Sequence, residues 1–370
     1  MKRFIKVSVP GYNLVFDRKT GFMARWGNSR DENPVFSPVG PEIADIEIST
    51  VCHGIGKTME NRVPCSWCYK SNTGTGENMS FEKFQSVLEK FPETLTQIAF
   101  GIGDIDGNPD LWRIMQLCHD RGVIPNITVN GMIDPASAQR LASLCGAVAV
   151  SHYGDDLCFD AIKALTDAGL KQVNIHKLLS KETLASCYRL IDQVKVDPRL
   201  AGLKAIVFLM LKPKGDRNKM HSIGSLEDYK ALLDYARDKG VGVGMDSCSA
   251  PMALKSLPSA FADSVEPCES GLFSIYVNVD GEVFPCSFTE GTPGWETGID
   301  VPSASDFLSG VWHHPRLETW RTNLIKSAEG CSCDKKDGCR ACPIYDITLC
   351  KPDPTLGRML TLVQIAGAMI

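Results

Sequence analysis

The chain has 370 residues, with 39 Lys and Arg against 44 Asp and Glu, a formal net charge of -5 and 44% hydrophobic residues. That length supports one large domain with an appendage or two to three smaller ones, and the composition excludes a disordered or collagen-like chain. There is no basic surplus to neutralise a phosphate backbone, so no nucleic-acid partner is expected.

Residues 1–13 alternate polar and apolar side chains and break at Pro10-Gly11, unlike an export signal. The longest apolar tail, residues 360–370, is interrupted by Thr361 and Gln364 and falls well short of the roughly 20 residues that span a bilayer. The expected location is therefore cytoplasmic, with no membrane partner. In that reducing compartment the 15 cysteines read as metal ligands or catalysts before they read as disulfides.

Taken in chain order, residues 13–26 read as a hairpin turning on Lys19-Thr20-Gly21, within an N-terminal zone of residues 1–45. From 46 to 247, β-branched runs at 44–50, 97–103, 125–131, 146–152, 171–177 and 203–209 alternate with helical spacing at 80–91, 109–121, 134–144, 156–168, 181–194 and 225–239. Six such units with few hairpin signals between them require parallel strands joined by right-handed crossovers, hence a full or partial β/α barrel. Its working residues belong at the C-terminal ends of the strands. Residues 248–370 lose the alternation, gain a hairpin at 273–284 turning on Asp280-Gly281, and hold eight of the cysteines. They read as a separate metal-bearing module. No repeat of 20 to 50 residues is present.

The first strand leads into Cys52, a long loop, then Cys65-Ser-Trp67-Cys68. Three thiolates on flexible backbone suit a [4Fe–4S] cube with one iron left open; zinc and a redox pair are the alternatives for such a motif. The module carries Cys248, Cys268, Cys286, Cys331, Cys333, Cys339, Cys342 and Cys350, enough thiolates for one or two cubes, with zinc again the alternative. Cys118, Cys145, Cys158 and Cys187 fall in helical patterns or at their ends and read as buried structural thiols. Residues 54–58 end like a phosphate-binding loop but have Val51 where that motif needs Gly. Residues 104–108 resemble a calcium loop but lack its Gly and its closing Glu.

On Cys52, Cys65, Trp67 and Cys68 the chain resembles the radical S-adenosylmethionine (SAM) enzymes from about residue 44 onward, although twelve residues separate Cys52 from Cys65 where the family pattern has three. The resemblance implies a partial (β/α)6 TIM-type barrel over residues 46–247. It implies that Cys52, Cys65 and Cys68 bind the [4Fe–4S] cluster on which SAM sits, with Trp67 near the adenine. Gly101, Gly103 and Asp104 look like the family's Gly-Gly-Glu segment that holds the SAM amino group; Asn130, Ser151 and Asn174 are placed like further SAM contacts. Cys268, Gly281 and Cys286, followed by the later cysteines, resemble the opening of SPASM and twitch modules, implying one or two auxiliary [4Fe–4S] clusters over residues 248–370, with a C-terminal helix. Asp246, His152, Tyr153 and His176 are the candidates for proton transfer or substrate contact. The function implied is reductive cleavage of SAM and hydrogen abstraction from a peptide or protein side chain, served by an external low-potential donor of flavodoxin or ferredoxin type. A small-molecule dehydrogenase and a non-catalytic zinc or iron–sulfur scaffold are the alternatives.

Overall fold

The computed structural model describes residues 2–56, 58–329, 331–334 and 339–347. Cys350 and the expected C-terminal helix lie outside the described residues.

The N-terminal zone is a three-stranded antiparallel sheet, β1 (Phe4–Val9), β2 (Tyr12–Asp17) and β3 (Met23–Trp26), in that order. The expected hairpin is β2–β3, and β1 adds to it through the tight turn at Pro10-Gly11. Asp17 shapes the β2–β3 turn by accepting from the Lys19 backbone N–H at 2.9 Å and the Thr20 hydroxyl at 3.0 Å. Tyr12 and Leu14 of β2 pack against Leu272, Phe273 and Leu324, which docks the small sheet on the later part of the chain.

The body of the protein is a ten-stranded sheet. Its parallel strands are β4 (Ile43–Glu47), β5 (Gln97–Gly101), β6 (Ile124–Val129), β7 (Ala147–Ser151), β8 (Val173–Leu179), β9 (Ala205–Met210) and β10 (Val243–Met245), paired in sequence order. Six of these match the expected runs. The seventh, β10, is too short and glycine-rich to carry a β-branched signal. Helices α1 (Phe81–Lys90), α2 (Leu111–Arg121), α3 (Pro135–Leu144), α4 (Asp155–Asp167), α5 (Leu184–Val196) and α6 (Leu226–Asp238) are the crossovers. Ser80, Asp134 and Ser225 cap α1, α3 and α6 by accepting from the backbone N–H three residues on.

The C-terminal hairpin, β11 (Ser274–Val277) and β12 (Glu282–Phe284), is an extension of the same sheet: β11 runs parallel to β4, and a short β13 (Ile299–Asp300) pairs with β12. Helices α7 (Ala250–Ser256) and α8 (Pro315–Ile325) flank it. The sheet order ends on β10 at one side and β13 at the other.

Alternate strand residues such as Ile46, Ile98, Ile127, Val148, Ile175 and Ile206 are fully or almost fully buried and pack with Phe84, Ile114, Leu141, Ile162, Leu190 and Leu232 of the helices. Each such side chain contributes about 1.5–3 kcal/mol by burial. Because all the crossover strands point the same way, their C-terminal ends share one side of the sheet. The chemistry-bearing loops meet there.

Candidate active site

The loop from β4 to α1 builds the first half of the site. Its ends are pinned where the Ile48 N–H donates to Gly101 O and the Met79 N–H to Ile48 O, at 2.9 and 3.0 Å. Between Cys52 and Cys65, Ile55 and Val63 exchange backbone hydrogen bonds at 3.0 and 2.9 Å, and a short turn at Met59–Asn61 closes the excursion. Gly54 makes this possible: at φ +88° a Cβ would lie 1.9 Å from the Val63 carbonyl oxygen. The twelve intervening residues thus fold out as a side hairpin, and the chain returns with Cys65 beside Cys52. Burial first, then the neighbouring Cys52 and Cys68 thiols, push the Cys65 thiol up to about 11; burial raises Cys52 as well. Three thiols that repel one another when ionised, in surroundings poor in water, fit a shared cationic group that holds them as thiolates. All three line a cavity of about 1050 Å³.

Trp67, Gly101, Gly103, Asn130, Ser151, His152, Tyr153 and Asp246 line the same cavity. At Gly103 the loop after β5 touches Cys52 directly, since a Cβ there would come within 2.4 Å of the Cys52 Cβ. The Trp67 and Tyr153 rings lie 6.0 Å apart, tilted by 37°. The Tyr153 hydroxyl is near enough to the Cys65 thiol to offset part of the upward push on it.

Two of the residues expected to contact SAM, Asp104 and Asn174, lie outside the cavity lining. Asp104 is 1% exposed and does not reach the cavity. Its carboxylate accepts from the His53 backbone N–H at 2.8 Å and Asn130 Nδ2 at 3.2 Å, and meets His53 Nδ1 at 2.7 Å and Arg62 at 3.0 Å. These contacts make it a strut tying the β5 loop to the Cys52–Cys65 loop. Asn174 is the second residue of β8, about 6.6 Å below His176 on the same face; His176 lines the cavity and Asn174 does not, because the cavity opens at the strands' C-terminal ends.

Two of the proton-transfer candidates are held by protein partners. The His152 ring is fixed between Asp155, 2.9 Å from Nε2, and the Lys177 ammonium, which donates to Nδ1 at 3.0 Å. Burial and then Lys177 hold its pKa below the usual histidine value. Asp246 is ion-paired with Lys212 and accepts from the Met210 N–H at 3.2 Å and the Ser249 hydroxyl at 2.7 Å.

The second half of the site comes from the C-terminal cysteines, and the structure sorts them. Cys248, Cys268, Cys286 and Cys342 all line the cavity. They are near enough to raise one another: Cys286 is pushed up to about 12 by burial and by Cys268 and Cys342, while Cys248, raised by burial, also feels Cys268 and Cys286. Four thiols are a full ligand set for a [4Fe–4S] cube. Cys331, Cys333 and Cys339 do not line the cavity, and Cys331 is exposed. Among the described residues no three His, Cys, Asp or Glu side chains close on a point in the manner of a single-ion site. Cys118, Cys145, Cys158 and Cys187 are buried in the core.

Several residues of the site were not singled out in the sequence. Lys70 bridges Glu47 at 3.0 Å, the Tyr276 hydroxyl at 2.8 Å, and Glu290. Arg217 donates to the Ser71 and Asn72 carbonyls at 3.1 and 2.9 Å, clamping the chain just past Cys68. Lys214 donates to the Glu290 carbonyl at 2.8 Å, beyond Cys286. Lys177, in the C-terminal half of β8, and Lys212, two residues past β9, sit where the barrel rule directs attention; Arg217 lies in a loop with no periodic signal.

No protein-family model matches the sequence, and comparison with curated proteins gives no match. Among solved structures, the chain superimposes on Streptococcus suis SuiB bound to the precursor peptide SuiA with a TM-score of 0.67 at 13% identity, covering 91% of this chain and 95% of that one. For SuiB bound to S-adenosylmethionine the TM-score is 0.64 at 15% identity, covering 82% and 73%, and for SuiB alone 0.65 at 12%, covering 87% and 90%. The chain shares the SuiB fold over most of both chains.

Proposed function

We propose that the protein is a radical SAM enzyme that modifies a peptide or protein side chain by oxidation or cross-linking. One observation carries this: the thiol triad Cys52, Cys65 and Cys68 and the thiol tetrad Cys248, Cys268, Cys286 and Cys342 line a single cavity of about 1050 Å³. The fold it shares with peptide-bound SuiB over most of both chains supports a peptide as substrate.

The triad would hold a cluster with one iron free for SAM, and the tetrad a fully ligated auxiliary cluster. When bound, the clusters and SAM supply a low-potential electron and a carbon radical able to remove hydrogen from carbon. The chain's own residues shape where that happens. Trp67 and Tyr153 give an aromatic wall beside the triad, and Gly101, Gly103, Asn130 and Ser151 offer a close-lying backbone and polar groups for SAM. Asp104, Arg62 and His53 keep the triad loop in register with β5. Lys70, Glu47 and Tyr276 close the side nearest the β11–β12 hairpin, and Lys212 holds Asp246 beside Cys248. A flavodoxin- or ferredoxin-type protein supplies the electron.

Incubation of the reduced, reconstituted protein with SAM and a panel of peptides tests the reading. A peptide losing hydrogen in step with 5′-deoxyadenosine formation is expected. No mass change in any peptide, alongside turnover of a sugar or free amino acid, would replace the peptide with a small molecule.

A further inference from the structure

The acidic residues on the cavity wall come almost entirely paired. Glu47 meets Lys70 at 3.0 Å, Asp155 meets His152 at 2.9 Å, Asp156 meets Arg199 at 3.1 Å, Glu269 is ion-paired with Arg25, and Asp246 with Lys212. Asp45 differs. Among the described residues no hydrogen bond or ion pair to protein engages its carboxylate, although it lines the cavity.

Its position follows from strand geometry. Ala44 and Ile46 face the helices and are fully buried, so the alternation turns Asp45 the other way, into the cavity. Its neighbours across the sheet are Ala99 on β5 and Tyr276 on β11. The Ala99 side chain is too short to cover it, and the Tyr276 hydroxyl is taken by Glu47 and Lys70. The carboxyl is accessible from the cavity, yet the surrounding protein withdraws it from bulk water and pushes its pKa up to about 6. A carboxylate that the protein leaves unpaired on a cavity wall is free to take up a cation brought by a ligand. Of the cavity's own cations, Lys70 and Lys212 are engaged with other acids, Lys177 with His152 and Arg340 with the Cys268 carbonyl, and neither these nor Arg189 forms an ion pair with Asp45, which leaves the place beside it to a cation that arrives with a ligand.

We propose that Asp45 is the counter-ion for a cationic side chain of the substrate, a lysine-type ammonium or arginine-type guanidinium, and that it thereby selects a basic residue for the cavity. This rests on the reading of the cavity as the substrate site of a peptide-modifying enzyme. A basic side chain gains a charge-assisted hydrogen bond there, whereas a neutral or acidic one leaves Asp45 unpaired or repelled.

The test measures equilibrium binding to the anaerobically reconstituted holoprotein near pH 7.5. The probes are Nα-acetyl-lysine methylamide, its Nε-acetylated form and Nα-acetyl-glutamate methylamide. The lysine compound should bind the wild type at least about ten-fold more tightly than either of the others, and Asp45→Asn should reduce that ratio to about one while keeping the wild-type circular dichroism. Similar binding of all three, binding of none, or a lysine preference that survives in Asp45→Asn overturns the assignment. The wild-type comparison stands without the variant. A preparation that forms 5′-deoxyadenosine but shows no lysine preference overturns the role of Asp45 alone; one that shows the preference but forms none supports Asp45 and removes the radical reading.

Discussion

Ile55 and Val63 exchange both backbone hydrogen bonds, at 3.0 and 2.9 Å, and so return Cys65 to the side of Cys52 across a twelve-residue detour. A spacing that departs from the usual three-residue gap is reconciled locally, because a closed side hairpin adds length without moving its ends apart. Gly54 is the hinge of that closure. Alanine there must hold φ near +88° and meet the Val63 carbonyl, at a cost of about 1–2 kcal/mol for the backbone alone. Gly54→Ala is expected to retain the fold by circular dichroism while losing most of the iron held by the triad.

Iron stoichiometry separates the two thiol groups. Wild-type protein reconstituted without oxygen should hold about eight irons per chain, and the Cys52, Cys65, Cys68 triple alanine variant about four. Cys286→Ala should lose about four from the other site, and Cys331→Ala none from the cavity pair. Iron content unchanged in Cys286→Ala would remove that residue from the ligand set.

Asp104 predicts a large structural effect without direct contact with SAM. Replacing it by leucine strips Arg62, whose side chain is only 9% exposed, of its carboxylate, and loss of one partner of a buried pair costs about 3–5 kcal/mol. Urea unfolding of Asp104→Leu should show a loss of that order. Asp104→Asn, which keeps the shape but not the charge, should lose less. A change below about 1 kcal/mol in the leucine variant would contradict the strut.

Two cavity residues give opposite pH dependences. The His176 pKa is held down to about 4 by burial, against 6.5 for the free side chain. Below pH 6.5 the unfolded chain takes up a proton that the folded protein refuses, so its contribution to stability is lost as the pH falls from 6.5 toward 4. Asp45, raised from 3.8 to about 6, keeps its proton in the folded state where the unfolded chain releases it, so its contribution is lost as the pH rises from about 4 to 6. Each slope is bounded by about 1.4 kcal/mol per pH unit, and for Asp45 screening by water in the cavity reduces it. Denaturant melts between pH 4 and 7 should therefore show more acid loss of stability in Asp45→Asn than in wild type, and less in His176→Gln. Superimposable profiles for all three would contradict both assignments.

The parallel strands and their crossover helices were legible in the sequence because each strand carries an uninterrupted apolar run and each helix its own period. That Cys52, Cys65 and Cys68 share one cavity was legible because they follow a strand within one loop. What was not legible depends on distant segments meeting. Nothing local tells Cys248 and Cys342, 94 residues apart in sequence, that they line one cavity while Cys331 and Cys333 do not. Asp104 sits where a ligand-binding acid was expected, but only the fold shows that Arg62 and His53 reach it first. Asn174 lies one layer of the sheet below the cavity lining, and a strand's composition does not mark where the cavity floor lies. Asp45 went unremarked because an acid in a strand stands out only once its neighbours are known to be paired elsewhere.

The central claim is that the triad holds a cluster that cleaves SAM, and quantifying 5′-deoxyadenosine under strict anaerobiosis tests it most directly. The reconstituted wild type, given dithionite and SAM, should form it, and the Cys52, Cys65, Cys68 triple alanine variant should form none. A wild-type protein that binds and reduces its iron yet forms no 5′-deoxyadenosine, or a triple variant that forms as much as wild type, would contradict the account.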